Sequence, residues 1–178
     1  MKFDHPLFNI FLTYWKSRCT NDSIPTVNEF DLIDLAAALP DVTYWEILPD
    51  QRIICRMTGT KVVERMKVDM TGMYLADILP PHDAPIMLKA FQTMQTSGCG
   101  VWIRAQNHHP NGRNVRVEAL SLPLAAAENA LPKCVTVSNQ LETIGYDQSE
   151  GADALILGQE FEKREFVDLG WGRPDTFE

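Results

Sequence analysis

Apolar residues at Leu7, Ile10, Phe11 and Tyr14 recur at the i, i+3, i+4, i+7 spacing of an amphipathic helix. Phe8, Leu12 and Trp15 fall beside that stripe, so the helix is apolar around most of its girth. Asp4 or Asn9, with Pro6, supplies its opening. Either one core absorbs all of this surface, or the helix packs twice, against its own domain and against a second subunit. Leu7, Phe8, Phe11, Leu12 and Trp15 are therefore candidates for a dimer interface.

After a loop over 19–25, Thr26 or Asn28 is expected to open a second helix with Phe30, Leu32, Ile33, Ala36 and Ala37 on its buried side and Pro40 as its stop. The pattern then changes. Asp41 to Leu48 is rich in branched and aromatic residues and reads as a strand, turned by Leu48-Pro49-Asp50-Gln51 into a second strand from Arg52 to Thr58. Thr60 to Met66 and Tyr74 to Leu79 read as short helices, the latter ended by Pro80-Pro81. Asp83 and Pro85 open the longest central helix, with Met87, Ala90, Phe91 and Met94 on one face and Ser97 to Gly100 closing it.

Three more strands follow. Val101, Ile103 and Ala105 alternate with Trp102, Arg104 and Gln106, and Val115, Val117 and Ala119 alternate with Arg116, Glu118 and Leu120. The connection His108 to Arg113 carries Asn111-Gly112, the strongest turn signal in the chain. Lys133 to Leu141 completes the meander after a looser stretch over 125–132. Opposed Arg and Glu on these strands are placed to form modest cross-strand pairs. The remainder is polar, with apolar pieces at Ala154 to Leu157 and Phe166 to Trp171 around the charged run Glu160 to Glu165.

Composition adds bounds. With 178 residues, 45% apolar and 22% charged, the chain can bury a core without disulfide staples. A formal charge of −8 and dispersed basic residues argue against nucleic acid or anionic membrane as partner. Cys19, Cys55, Cys99 and Cys134 have no CxxC spacing and read as reduced, structural thiols. The first six residues do not resemble a signal peptide, no stretch has the apolar length of a membrane span, and a cytoplasmic location is expected.

The order of elements, together with Leu39-Pro40, the strand Ile53 to Met57 running into Thr58-Gly59-Thr60, Asp69-Met70-Thr71-Gly72, and Leu122-Pro123-Leu124, resembles the PAS fold over about residues 28 to 160. More narrowly it resembles the stand-alone, single-domain PAS-like proteins of alphaproteobacteria. The resemblance implies an α/β (α+β) domain: a five-stranded antiparallel sheet flanked by short helices and one longer helix. Residues 1–27 form an N-terminal helical extension, 28–145 the PAS-like domain, and 146–178 a C-terminal extension packed on the domain or on a partner subunit. It further implies a sensory or signalling module, a homodimer, that acts through an unidentified partner protein and admits a small molecule between sheet and helices. The contrasting expectation is an adaptor whose core is filled by its own side chains. Thr71 to Pro80, where flavin-photosensing relatives carry a cysteine, has none, and His82 is better explained as an exposed helix-start residue than as a haem ligand. The cofactor is left unknown.

Tyr44, Trp45, Arg56, Met57, Met87, Phe91, Trp102 and Arg104 are candidates to line such a cavity. An inward Arg56 or Arg104 needs an acidic partner, whether protein or ligand; an outward one lays its stem along the sheet. His108 and His109 read as a polar hairpin tip, since adjacent histidines on an extended chain diverge and no third ligand is spaced to join them. No metal site is assigned. No nucleophile elbow, phosphate loop, HExxH or dinucleotide turn occurs, and no catalytic role is assigned.

Overall fold

The computed structural model describes residues 3, 5–20, 23–110, 112–146 and 154–177. Helix α1 spans Pro6–Ser17, with Pro at its first turn and His5 as N-cap, whose Nδ1 accepts from the Leu7 amide. Asn9 instead donates its side chain to the Phe3 carbonyl, and Asp4 lies outside the described residues. Helix α2 spans Thr60–Met66 and helix α3 Ala84–Ser97, the latter ending at Gly98 in the left-handed region.

One antiparallel sheet organises the chain. Its strands are β1 (Val42–Ile47), β2 (Ile53–Thr58), β3 (Gly100–His108), β4 (Arg113–Leu124), β5 (Lys133–Tyr146) and β6 (Ile156–Val167), in the order β2-β1-β5-β4-β3-β6. The sheet thus has six strands where five were expected. The sixth comes from the charged run near the C-terminus, which pairs with β3 from Gly100↔Val167 to His108↔Ile156. Two physical features hide it from a reading of the sequence. An edge strand carries charges on its open side as protection against further pairing. Two register irregularities also break its period of two, with Arg104 opposite Lys163 but Ala105 opposite Phe161.

The expected second helix is also corrected. Between Phe30 and Asp41 the chain makes two short 3-10 turns, Leu32–Leu35 and Leu39–Asp41, the first capped by the Asp31 carboxylate on the Ile33 amide. Thr26 does not open a helix: its amide and hydroxyl both bond the Glu29 carboxylate in a tight turn.

Both faces of the sheet are covered, which gives two cores. On one face α2, α3 and the turn Leu75–Ile78 pack over Trp45, Ile47, Ile53, Cys55, Val101 and Cys134. On the other, α1 lays Phe8, Phe11 and Trp15, each 0% exposed, among Val42, Trp102, Leu120, Leu122, Leu124, Val135 and Val137. The expected cross-strand pairs form: Arg104 bonds Glu118 directly opposite, and Arg116 bonds Glu142. No helix among the described residues is long and apolar enough to cross a membrane.

Asp83, just before α3, ties the added strand to this scaffold. Its buried carboxylate accepts from Arg164 of β6 at 2.7 Å and from His82 at 2.8 Å. Asp83→Asn is expected to cost about 1–3 kcal/mol, because charge-assisted hydrogen bonds to a buried carboxylate are lost. Urea titration measures the loss, and amide exchange should quicken first along β6.

Candidate functional site

A cavity of about 850 Å³, its mouth to solvent included, lies between the helical layer and the sheet. Its walls are apolar, with Trp45 from β1, Met66 from α2, Met70 and Leu75 from the following turns, and Met87 and Phe91 from α3. Strand alternation supplies the floor: Val101, Ile103, Asn107 and His109 at every second or fourth position of β3 and its continuation, with Val117, Ala119 and Ser121 from β4. One side of the floor is polar, where Arg65, Asn107, His109, Ser138, Asn139 and Gln140 meet.

That polar side is held by a network. Arg65 donates to the buried Asp41 carboxylate and, at 3.2 Å each, to the carbonyl and hydroxyl of Ser138. Lys61 joins Asp41 from one turn earlier on α2 at 3.2 Å. Arg113, at the start of β4, donates to the Arg65 carbonyl and to His109 Nδ1 at 3.2 Å. Ser121 and Thr136 satisfy each other at 2.7 Å. Asn107 Oδ1 accepts from the Gly158 amide at 2.8 Å, so β6 closes this part of the wall.

His109 is the most perturbed of these groups. Burial, then the charge of Arg113, pulls its pKa down to about 4; His108 and Arg65 add to the effect, while the Arg65 carbonyl opposes it. The unfolded chain takes up this proton near 6.5, the folded one only near 4. Between those values the unfolded state binds more protons, so this group makes stability fall as pH drops from about 6.5 toward 4. Thermal melts at pH 7 and pH 5 should therefore differ more for the native protein than for His109→Phe. An equal pH dependence in the two would mean that His109 does not stay neutral on folding.

Of the residues expected to line the cavity, Trp45, Met87 and Phe91 do. Tyr44, Met57 and Trp102 lie on the opposite face, with α1. Arg56 is outward and donates to Glu46 at 2.6 Å; Arg104 is outward beside Trp102 and bonds Glu118. A bulge explains Met57: Tyr44 pairs with Met57 but Trp45 with Cys55, so one extra residue, Arg56, flips the parity of the strand end. Trp102 and Arg104 alternate with Val101 and Ile103, so the parity that puts those two in the cavity puts Trp102 and Arg104 on the other face. The residues proposed for a dimer interface lie on α1, where Phe8, Phe11 and Trp15 are buried within this chain and Leu7 and Leu12 are half-buried.

The histidines are not an exposed tip. His108 and His109 are 4% and 1% exposed, and His108 Nδ1 lies 2.8 Å from Asn114 Oδ1. Asn111 of the expected turn lies outside the described residues. Sequence reading passed over Arg65, Asn107 and His109 as site residues. The signal for two of them was present: Asn107 and His109 continue the odd-numbered series Val101, Ile103, Ala105 onto the same face. No group of His, Cys, Asp or Glu able to hold a metal ion occurs among the described residues. Burial pushes the Cys55 thiol up and the Cys134 thiol well above its ordinary value, so both behave as small apolar groups.

Residues 3–137 match a family model described as a PAS domain, well over half of the chain. Among curated proteins none matches significantly. Among solved structures the chain is similar to a fungal LOV-domain photoreceptor, with 18% identity, a TM-score of 0.49, and coverage of 77% of this chain and 92% of that one. It is also similar to the PAS domain of a protein from Colwellia psychrerythraea, with 12% identity, a TM-score of 0.45, and coverage of 62% and 98%. A third is the LOV domain of the blue-light photoreceptor Aureochrome1, at 14% identity, a TM-score of 0.47, and coverage of 70% and 89%.

Proposed function

Because the chain belongs to the PAS domain family, whose members are sensory modules rather than enzymes, we propose that it is a receptor whose signal is a small molecule seated between α2, α3 and the sheet. The cavity carries this reading: it lies between the helical layer and the sheet, and apolar walls meet a polar side in it. A filled-core adaptor would have no use for Arg65, Asn107 and His109 gathered around such a space. Output by contact with another protein, in a cytoplasmic homodimer, completes the proposal. Ile10 and Ile33, 56% and 76% exposed, supply apolar surface for such contact. The narrower grouping with single-domain alphaproteobacterial PAS proteins belongs to the same proposal.

Native mass spectrometry of freshly purified protein tests it. A reproducible added mass is expected, on a dimer, and is expected to disappear in Ala119→Phe, which puts a ring into the cavity from β4. Apo protein throughout, with no compound from a fragment set raising Tm, would leave the adaptor as the function.

A further inference from the structure

A guanidinium has donors only, so the bond from Arg113 to His109 exists only with Nδ1 as acceptor. That bond sets the tautomer: neutral His109 carries its proton on Nε2. Nε2 is buried and has no hydrogen-bond partner among the described residues. His109 is 1% exposed and lines the cavity. Two of the polar residues on this side, Asn107 and Arg65, offer donors. Asn107 spends its amide oxygen on the Gly158 amide and keeps its NH2 group, and Arg65 has donors alone. The polar side also holds Ser138, Asn139 and Gln140, which both donate and accept; what sets His109 apart is an Nε2–H buried without a hydrogen-bond partner among the described residues.

We propose that the cavity selects a small apolar molecule through one hydrogen-bond acceptor, a carbonyl or carboxylate oxygen, held by His109 Nε2–H. The inference rests on the receptor reading above. Neutral His109 suits this role at ordinary pH, since burial, and then the charge of Arg113, keeps it uncharged. A buried donor left without an acceptor is costly, so a ligand that lacks one binds on the order of tenfold more weakly than its isostere that has one. A carbonyl is received without change of protonation. A carboxylate draws a proton onto His109, so its affinity falls as pH rises.

The test uses the full chain with 15N-labelled histidine and three probes of one shape: acetophenone, benzoate and α-methylstyrene, which is planar like acetophenone but has no acceptor. The free protein is expected to show His109 as the Nε2–H tautomer. Acetophenone or benzoate should bind about tenfold or more tightly than α-methylstyrene and shift the Nε2 signal. A pH-independent preference for acetophenone identifies a carbonyl ligand, and a benzoate affinity that weakens with rising pH identifies an acid. His109→Phe should bind all three alike; should that variant not fold, the comparison on the native protein decides alone. Equal affinities with Nε2 unmoved, or an Nδ1–H tautomer, overturn the inference while the receptor reading stands. No binding by any of the three overturns the inference, while the receptor reading is decided by the mass and fragment measurements above.

Discussion

Trp15→Ala is expected to lower the unfolding free energy by about 3–5 kcal/mol, the range for truncating a fully buried large aromatic side chain. Trp15 is 0% exposed, its Nε1 donates to the Pro123 carbonyl at 2.8 Å, and its ring meets the edge of Trp171 at 6.1 Å. Truncation opens a cavity between α1 and the sheet, strips the Pro123 carbonyl of its donor, and removes the ring on which the C-terminal segment rests. Against a typical total of about 5–15 kcal/mol, that is a large share. Urea unfolding followed by circular dichroism reads it directly, with Thr13→Ala, at an exposed position of the same helix, as a control near zero. A loss under about 1 kcal/mol would mean that α1 is not docked on this sheet. A midpoint that depends on protein concentration would show the helix contributing to a dimer as well.

Gly59→Ala is expected to cost about 3 kcal/mol, at the upper end of overpacking effects. A methyl at this position would sit 2.4 Å from the Pro40 carbonyl oxygen and 2.6 Å from that of Leu39, both backbone atoms that cannot swing aside. The φ of −63° is open to any residue, so the requirement is space and not conformation. The close approach has a local cause. Gly59 donates its amide to Val42 at 2.8 Å where β2 runs out beside the start of β1, and α2 begins at the next residue. Pushing the two segments apart displaces α2 and with it Arg65, so any ligand affinity should fall together with stability. Gly145→Ala, where nothing lies within 4 Å, is the matched control and should leave the urea midpoint nearly unchanged. A tolerated Gly59→Ala would show that the contact relaxes at little cost.

Much of the architecture was legible along the chain because it is local. The alternation in β3 and β4, the prolines and glycines between elements, and the Met87, Ala90, Phe91, Met94 face of α3 each report a period or a turn within a few residues. What stayed hidden depends on partners far away in sequence. β6 is a strand because β3, far upstream, offers it an edge, from Gly100↔Val167 to His108↔Ile156, which its own charged residues do not announce. The segment after Phe30 has helical spacing, yet it is held as two short turns beside the sheet, where Tyr14 bonds the Asp31 carbonyl and Asp34.

The candidate site divides in the same way. Trp45, Met87 and Phe91 were recognisable as wall residues, whereas one bulge at Arg56 moved Met57 to the other face and the docking of α1 claimed Trp102. The amino-acid order by itself determined the strand–helix–meander succession and the supply of apolar faces, since these follow from side-chain period and turn chemistry. Only the tertiary structure decided which face each residue serves, because a sheet covered on both sides makes either parity apolar. It alone also buried His109 beneath Arg113 at the polar side of the cavity, where a histidine that reads as a turn residue becomes a neutral donor in need of an acceptor.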